Sequence, residues 1–212
     1  VERADDLSTA GLTAEKTALR RAVRARRRAL PAADVRAASA AVVARLASLP
    51  AVARARTIAL FAARAADGEL DPAPLADGRR ALFPVVAAAP SEPGGPALLF
   101  RAAAPSELVP DRYGIPAPAA SAPAVALDDA DVVIVPGLAF DRAGRRLGEG
   151  AGFYDAALRG APRPLRVAVA HDFQLVDRVP VGPADEPVDL IVTPAGVVET
   201  HARPHVPSGG TP

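Results

Sequence analysis

Between residues 57 and 194 one pattern recurs six times: a short apolar run closed by turn-forming residues. The runs are TIALFAA (57–63), RALFPVV (80–86), ALLFRA (97–102), DVVIVPG (131–137), LRVAVAH (165–171) and DLIVTP (189–194). Several are apolar throughout instead of alternating. A strand with one wet face alternates, whereas a strand of a parallel sheet covered on both faces does not. Ahead of the runs, KTALRRAVRARRRAL predicts a helix from about Thr13, with Thr13 as N-cap and Pro31 as the stop. A second helix is expected over 33–47, ending before Pro50, with shorter ones near 72–76 and 153–159. A helical hairpin followed by strands and interspersed helices predicts one α/β domain with a mostly parallel central sheet. Its expected span is 13–200, with flexible tails at 1–12 and 201–212.

Composition narrows the function. Half of the 212 residues are hydrophobic, enough for a sizeable core, but only 4% are aromatic. Few aromatics and a net charge of +1 argue against nucleic-acid binding, which uses stacking platforms or a basic field. The chain has no cysteine, which excludes disulfides, zinc thiolates and cysteine nucleophiles. No apolar run is long enough to span a bilayer, and the opening residues lack a signal-peptide pattern, so a cytoplasmic protein is expected, with no membrane and no obligate protein partner.

The most unusual stretch is FDRAGRRLGEGAGFYDAALR, residues 140–159, directly after an apolar run. Gly148, Gly150 and Gly152 alternate with Glu149 and Ala151, Arg145 and Arg146 precede them, and Asp155 follows. Glycine lets successive backbone N–H groups point inward as a nest for anions, and a helix beginning near Phe153 adds its N-terminal amides. The two arginines supply fork-shaped donors for phosphate oxygens. Asp155 could hold Mg²⁺, which prefers carboxylates, waters and phosphates. The spacing is neither a Walker A loop nor a dinucleotide fingerprint. It leaves two readings open: a phosphate cradle, or a tight turn with Asp155 as an ordinary first-turn helix acid.

Lys16, the only lysine, begins a stripe on the first helix with Arg20, Arg24 and Arg27. That stripe is either a solvated face or a set of donors for the same phosphates. Glu69, in ADGELDPAPL, could pair with the N–H donors of a pterin-like heterocycle or be an exposed loop acid. Tyr113, in DRYGIPAP, reads most simply as a turn residue. The histidines, His171, His201 and His205, form no ligand pattern with acids.

In this order the pieces resemble the 5-formyltetrahydrofolate cyclo-ligase (5,10-methenyltetrahydrofolate synthetase) family. The carriers are KTALRRAVRARRRAL, GELDPAPL, ALFPVV, YGIPAP, VVIVPGLAFDRAGRRLGEGAGFYDAAL, Gln174 and DEPVDLIVT, spanning about Lys16 to Thr193. The resemblance implies a single three-layer α/β domain. It also implies ATP- and Mg²⁺-dependent cyclisation of 5-formyltetrahydrofolate to 5,10-methenyltetrahydrofolate, with ADP and phosphate released. By position it implies that Lys16, Arg20 and Arg146 contact the phosphates, with Arg145 a weaker choice. Residues 148–152, Gly148, Glu149, Gly150, Ala151 and Gly152, would be the phosphate loop, and Asp155 the metal-associated acid. Glu69, Phe153 and Tyr154 would meet the reduced folate, and Lys16, Arg146 and Tyr154 would be catalytic.

Ala151 and Phe153 stand where glycine and tyrosine are common in the family signature, and Ala117 and Ala184 where an acid and a histidine are common. Two other outcomes therefore remain: a diverged ATP-dependent ligase or kinase with another acceptor, or a non-catalytic nucleotide-binding protein.

Overall fold

The computed structural model describes residues 9–87, 97–111, 114–200 and 202. Tyr113, His201 and His205, and most of the expected tails, lie outside the described residues. Among the described residues, four α-helices, α1 (Thr9–Arg28), α2 (Ala32–Ser48), α3 (Pro50–Arg54) and α4 (Phe153–Arg159), accompany twelve strands. The strands are β1 (Thr57–Ala59), β2 (Arg80–Val86), β3 (Leu98–Ala102), β4 (Val109–Pro110), β5 (Pro116–Ala117), β6 (Ala124–Val125), β7 (Val132–Val135), β8 (Ala139–Phe140), β9 (Arg146–Leu147), β10 (Leu165–Val169), β11 (Leu190–Val192) and β12 (Val197–Glu199).

Eight strands form the central sheet, in the order β12-β11-β10-β7-β1-β2-β3-β6. The run from β11 to β2 is parallel throughout, and antiparallel β12 and the β3–β6 pair close the two sides. Each of the six apolar runs contains one sheet strand. In β7 and β11 the unbroken apolarity has the expected cause: side chains alternate between two covered faces. Val132 and Ile134 pack with Val42, Leu46 and Val52 beneath α2 and α3, while Val133 and Val135 pack with Leu158 of α4 and Phe140.

Three details differ from the sequence reading. The first helix starts at Thr9, so Thr13 lies inside it, and its carbonyl accepts the Thr17 hydroxyl at 2.8 Å instead of Thr13 acting as a cap. Pro50 starts α3 as its first residue, a position where its missing N–H costs nothing. The expected helix near 72–76 is a 3₁₀ turn, Ala73–Ala76, too short to develop an α-helical ladder.

Two features aim the rest of the chain at the C-terminal ends of the parallel strands. After β7 the chain enters the β8–β9 hairpin, held by Asp141. Its carboxylate accepts the Ala143 amide at 3.0 Å and the Val179 amide at 2.8 Å, and Gly144 takes the left-handed turn position, φ 81°. Separately, α1 lies across the hairpin, with Val23 and Leu19 packed against Leu138, Ala139, Leu147 and Val179. That contact brings the charged stripe of α1 to the glycine loop that follows β9.

Candidate active site

The glycine loop leaves β9 at Leu147 and enters α4 at Phe153. Its left-handed positions fall on Gly150 (φ 117°) and Gly152 (φ 73°), so the alanine at 151 lies between the two residues that need glycine. Gly148 is crowded for a different reason. A Cβ there would lie 2.7 Å from Nη1 of Arg146. Among the described residues, no backbone N–H from residue 148 to residue 155 donates to a protein acceptor. Eight consecutive donors in one turn and one helix start are left available to an anion.

Cations surround this loop. Arg20 Nε donates to the Gly148 carbonyl at 2.9 Å. Arg146, 4% exposed, extends beneath the loop and donates through Nη2 to Asp155 Oδ1 at 2.6 Å. Asp155 Oδ1 also accepts the Glu186 amide at 3.0 Å, and Lys16 Nζ lies 2.5 Å from Oδ2 of the adjacent Asp185. A continuous path of contacts therefore joins Lys16, Asp185, Glu186, Asp155, Arg146, Gly148 and Arg20. Arg145 stands apart. It precedes β9, and its Nε is committed to Asp141 at 2.6 Å. Of the two neighbouring arginines, Arg146 is the one that reaches the loop and Asp155.

Glu69 sits at the turn after β1. Gly68 makes that turn with φ 66°, and its carbonyl meets Nε2 of buried His171 at 2.9 Å. A carbonyl only accepts, so Nε2 carries the proton; burial holds the imidazole pKa below its ordinary value despite the Gly68 contact. The Glu69 carboxylate takes Arg64 Nη2 on Oε1 at 2.7 Å, with Arg27 Nη2 at 3.4 Å, and the Arg64 amide on Oε2 at 2.8 Å. Oε2 thus keeps one acceptor position. Glu69, Arg27, Phe61, Leu70, Pro136, Gly137 and Gln174 line a cavity of about 10 Å³, room for about one water, so a heterocycle enters only if this wall parts.

Tyr154 connects the two halves. Its hydroxyl is buried and has no hydrogen-bond partner among the described residues. Burial pushes its pKa up, Arg146 opposes that shift, and the Glu69 carboxylate adds to it. This buried hydroxyl, influenced by both a cation of the loop and the carboxylate after β1, is free to bond a polar group brought to it. Arg146 Nε is likewise unpartnered. Phe153, by contrast, is a half-buried first residue of α4 without a polar group to offer.

The donor set fits a nucleotide-borne Mg²⁺ better than a metal cage. Among the described residues no three His, Cys, Asp or Glu side chains gather as a metal site. Asp155 Oδ2 accepts no hydrogen bond among them, which leaves one carboxylate oxygen for a metal held mainly by phosphates and water. Sequence reasoning missed Arg64, which holds Glu69, and Asp185, which holds Lys16. Asp185 comes from a turn far along the chain from Lys16, whereas Arg64 lies five residues before Glu69 in the same turn, and nothing local in FAARAADGE or GPADEP marks either as a site residue. Among the described residues no helix is long and apolar enough to cross a membrane.

The sequence pattern of the 5-formyltetrahydrofolate cyclo-ligase family matches residues 12–194. The chain is 39% identical over 186 residues to the 5-formyltetrahydrofolate cyclo-ligase of Escherichia coli, covering 84% of this chain and 99% of that one. Its fold matches that of Aquifex aeolicus 5,10-methenyltetrahydrofolate synthetase with a TM-score of 0.75 and 31% identity, over 90% of this chain and 95% of that one. A 5,10-methenyltetrahydrofolate synthetase from Mycoplasma pneumoniae, 21% identical, shares the fold with a TM-score of 0.67, over 85% and 99% of the two chains.

Proposed function

This chain belongs to the 5-formyltetrahydrofolate cyclo-ligase family, and on that premise we propose that residues 148–155 hold the phosphates of ATP while Glu69 and Tyr154 hold the reduced folate. The family's activity is an ATP-dependent ligation. In it the formyl oxygen of 5-formyltetrahydrofolate attacks the terminal phosphorus and ADP leaves. The activated carbon is then attacked by N10 and phosphate departs, giving 5,10-methenyltetrahydrofolate. The observation that carries the reading is the run of eight amides without protein acceptors, flanked by Arg20 and Arg146.

Phosphoryl transfer needs positioning and charge neutralisation more than covalent help. Here the amides fix the phosphate chain, and Lys16, Arg20 and Arg146 offset its charge. Bound Mg²⁺ would add charge neutralisation, with Asp155 as the carboxylate nearest to it in role. Oε2 of Glu69 orients the heterocycle by accepting an N–H, and the Tyr154 hydroxyl donates to a polar atom of the folate. Burial keeps that hydroxyl protonated, as a donor requires. Arg145, committed to Asp141, takes no part.

The test is the appearance of methenyl absorbance on mixing the protein with 5-formyltetrahydrofolate, Mg²⁺ and ATP. Formation of ADP without that absorbance would assign a different acceptor, and no ATP turnover with any folate would leave a binding protein. Two substitutions separate the halves of the site. Lys16→Ala is expected to raise the KM for ATP about tenfold, through loss of one charge-assisted contact, with little change for the folate. Unchanged ATP kinetics would remove Lys16 from the site. Glu69→Gln is expected to raise the KM for the folate about tenfold and that for ATP less than threefold, because a charged acceptor becomes a neutral one. The reverse ranking would move the pterin elsewhere.

A further inference from the structure

The loop assigned to phosphates carries an acid at its centre. Glu149 lies between two glycines, yet its carboxylate turns toward α1 and the turn before Glu69. Oε2 accepts from both Nε (2.9 Å) and Nη2 of Arg24, and Oε1 accepts from Arg64 Nη2 at 2.9 Å. Arg27 Nη2 lies 3.6 Å from Oε1, and Arg24 Nη2 also donates to the Glu149 carbonyl at 3.1 Å. Burial opposes ionisation of Glu149, but Arg24 and Arg64 outweigh it and hold the carboxyl below the ordinary range. Two guanidinium groups thus clasp one anion, and the same forks suit a phosphate. Arg24 is one helical turn beyond Arg20, which touches Gly148 of the same loop.

Resting on the nucleotide reading above, we propose that Arg24 and Arg64 form a further phosphate-binding position, which Glu149 fills in the free chain and yields to a phosphate oxygen of the nucleotide. Glu149 and Arg24 are both more than a third exposed, and exposed ion pairs are weak, so a polyphosphate displaces the carboxylate readily. Glycines on both sides, Gly150 with φ 117°, let the loop backbone turn Glu149 outward. Without this exchange the nucleotide would meet an acid inside its own cradle.

Calorimetric titration of tripolyphosphate and of ATP into the wild type, Glu149→Gln and Asp67→Asn tests the exchange. The glutamine keeps an oxygen for Arg24, and thermal denaturation of each variant checks its fold. Asp67 is the control, an acid of the same cluster that pairs with Arg28 and Arg64. Glu149→Gln is expected to bind both ligands about fivefold to tenfold more tightly. Asp67→Asn should stay within about twofold, and Arg24→Ala added to Glu149→Gln should cancel the gain. If the wild type binds ATP but Glu149→Gln binds equally or less tightly, Glu149 is a fixed strut and the exchange alone is overturned. An equal gain in Asp67→Asn would also overturn it, as a general charge effect. No binding of either ligand by wild type or variant would overturn the exchange and the nucleotide reading together.

Discussion

Arg146→Ala is expected to lower kcat/KM for cyclisation by about a thousandfold, the larger end of what one preorganised charge supplies to a transition state. Arg146 is the cation set deepest at the loop: its side chain is 3% exposed, and Nη2 reaches Asp155 at 2.6 Å. The substitution also strands Asp155. Breaking a buried pair costs about 3–5 kcal/mol, so stability must be followed alongside rate. Arg146→Lys separates the two effects. It keeps a charge near Asp155 and so most of the stability, but it has no planar fork and should still lose about a hundredfold in rate. The measurement is steady-state kinetics at saturating Mg²⁺ with the folded fraction known. Activity within tenfold of wild type for a folded Arg146→Ala protein would place the transferred charge elsewhere.

Gly68→Ala is expected to cost about 3 kcal/mol or more of stability. The residue has φ 66°, which disfavours any side chain, and a Cβ would come within 2.4 Å of the Arg27 carbonyl oxygen, a backbone atom that cannot move without α1. For a chain of this size that loss lowers Tm by about 10 °C. Gly78 is the internal control. Its φ is 68°, but nothing lies within 4 Å of the added carbon. Gly78→Ala should therefore show only the conformational part, about 1 kcal/mol. Equal Tm values for the two variants would mean that the approach of Gly68 to α1 is not tight. Because the Gly68 turn aims Glu69, folate KM should rise in the surviving Gly68→Ala protein.

The sheet was legible because burial on both faces writes itself as unbroken apolar runs. β2 matches RALFPVV end to end, and α4 starts at Phe153 as expected from the glycines before it. β6 and β12 were not legible. At two and three residues, Ala124–Val125 and Val197–Glu199 exist as strands only because β3 and β11 offer edges to pair with. The family was legible from residue types in order along the chain, and the family match covers residues 12–194. Residue types and spacing alone did not say which of two adjacent arginines joins the loop, although the family resemblance ranked Arg146 first. That choice depends on the register of β9 against β8, Phe140 opposite Arg146, which is fixed by tertiary pairing. The sequence also could not show that the stripe of α1 meets internal acids, since Glu69, Glu149 and Asp185 come from three separate loops.

The seat of α1 on the body has a dynamic corollary. Its apolar anchorage is narrow: Val23 is its one fully covered apolar side chain, whereas α2 sinks Val35, Val42 and Leu46. The remaining attachments of α1 are electrostatic, through Lys16, Arg20, Arg24, Arg27 and Arg28, and salt weakens their exposed part. Backbone amide protons in the middle of α1 should therefore trade with deuterium sooner than those of α2, and raised ionic strength should widen the gap. A helix held this way can loosen from the body without the core opening.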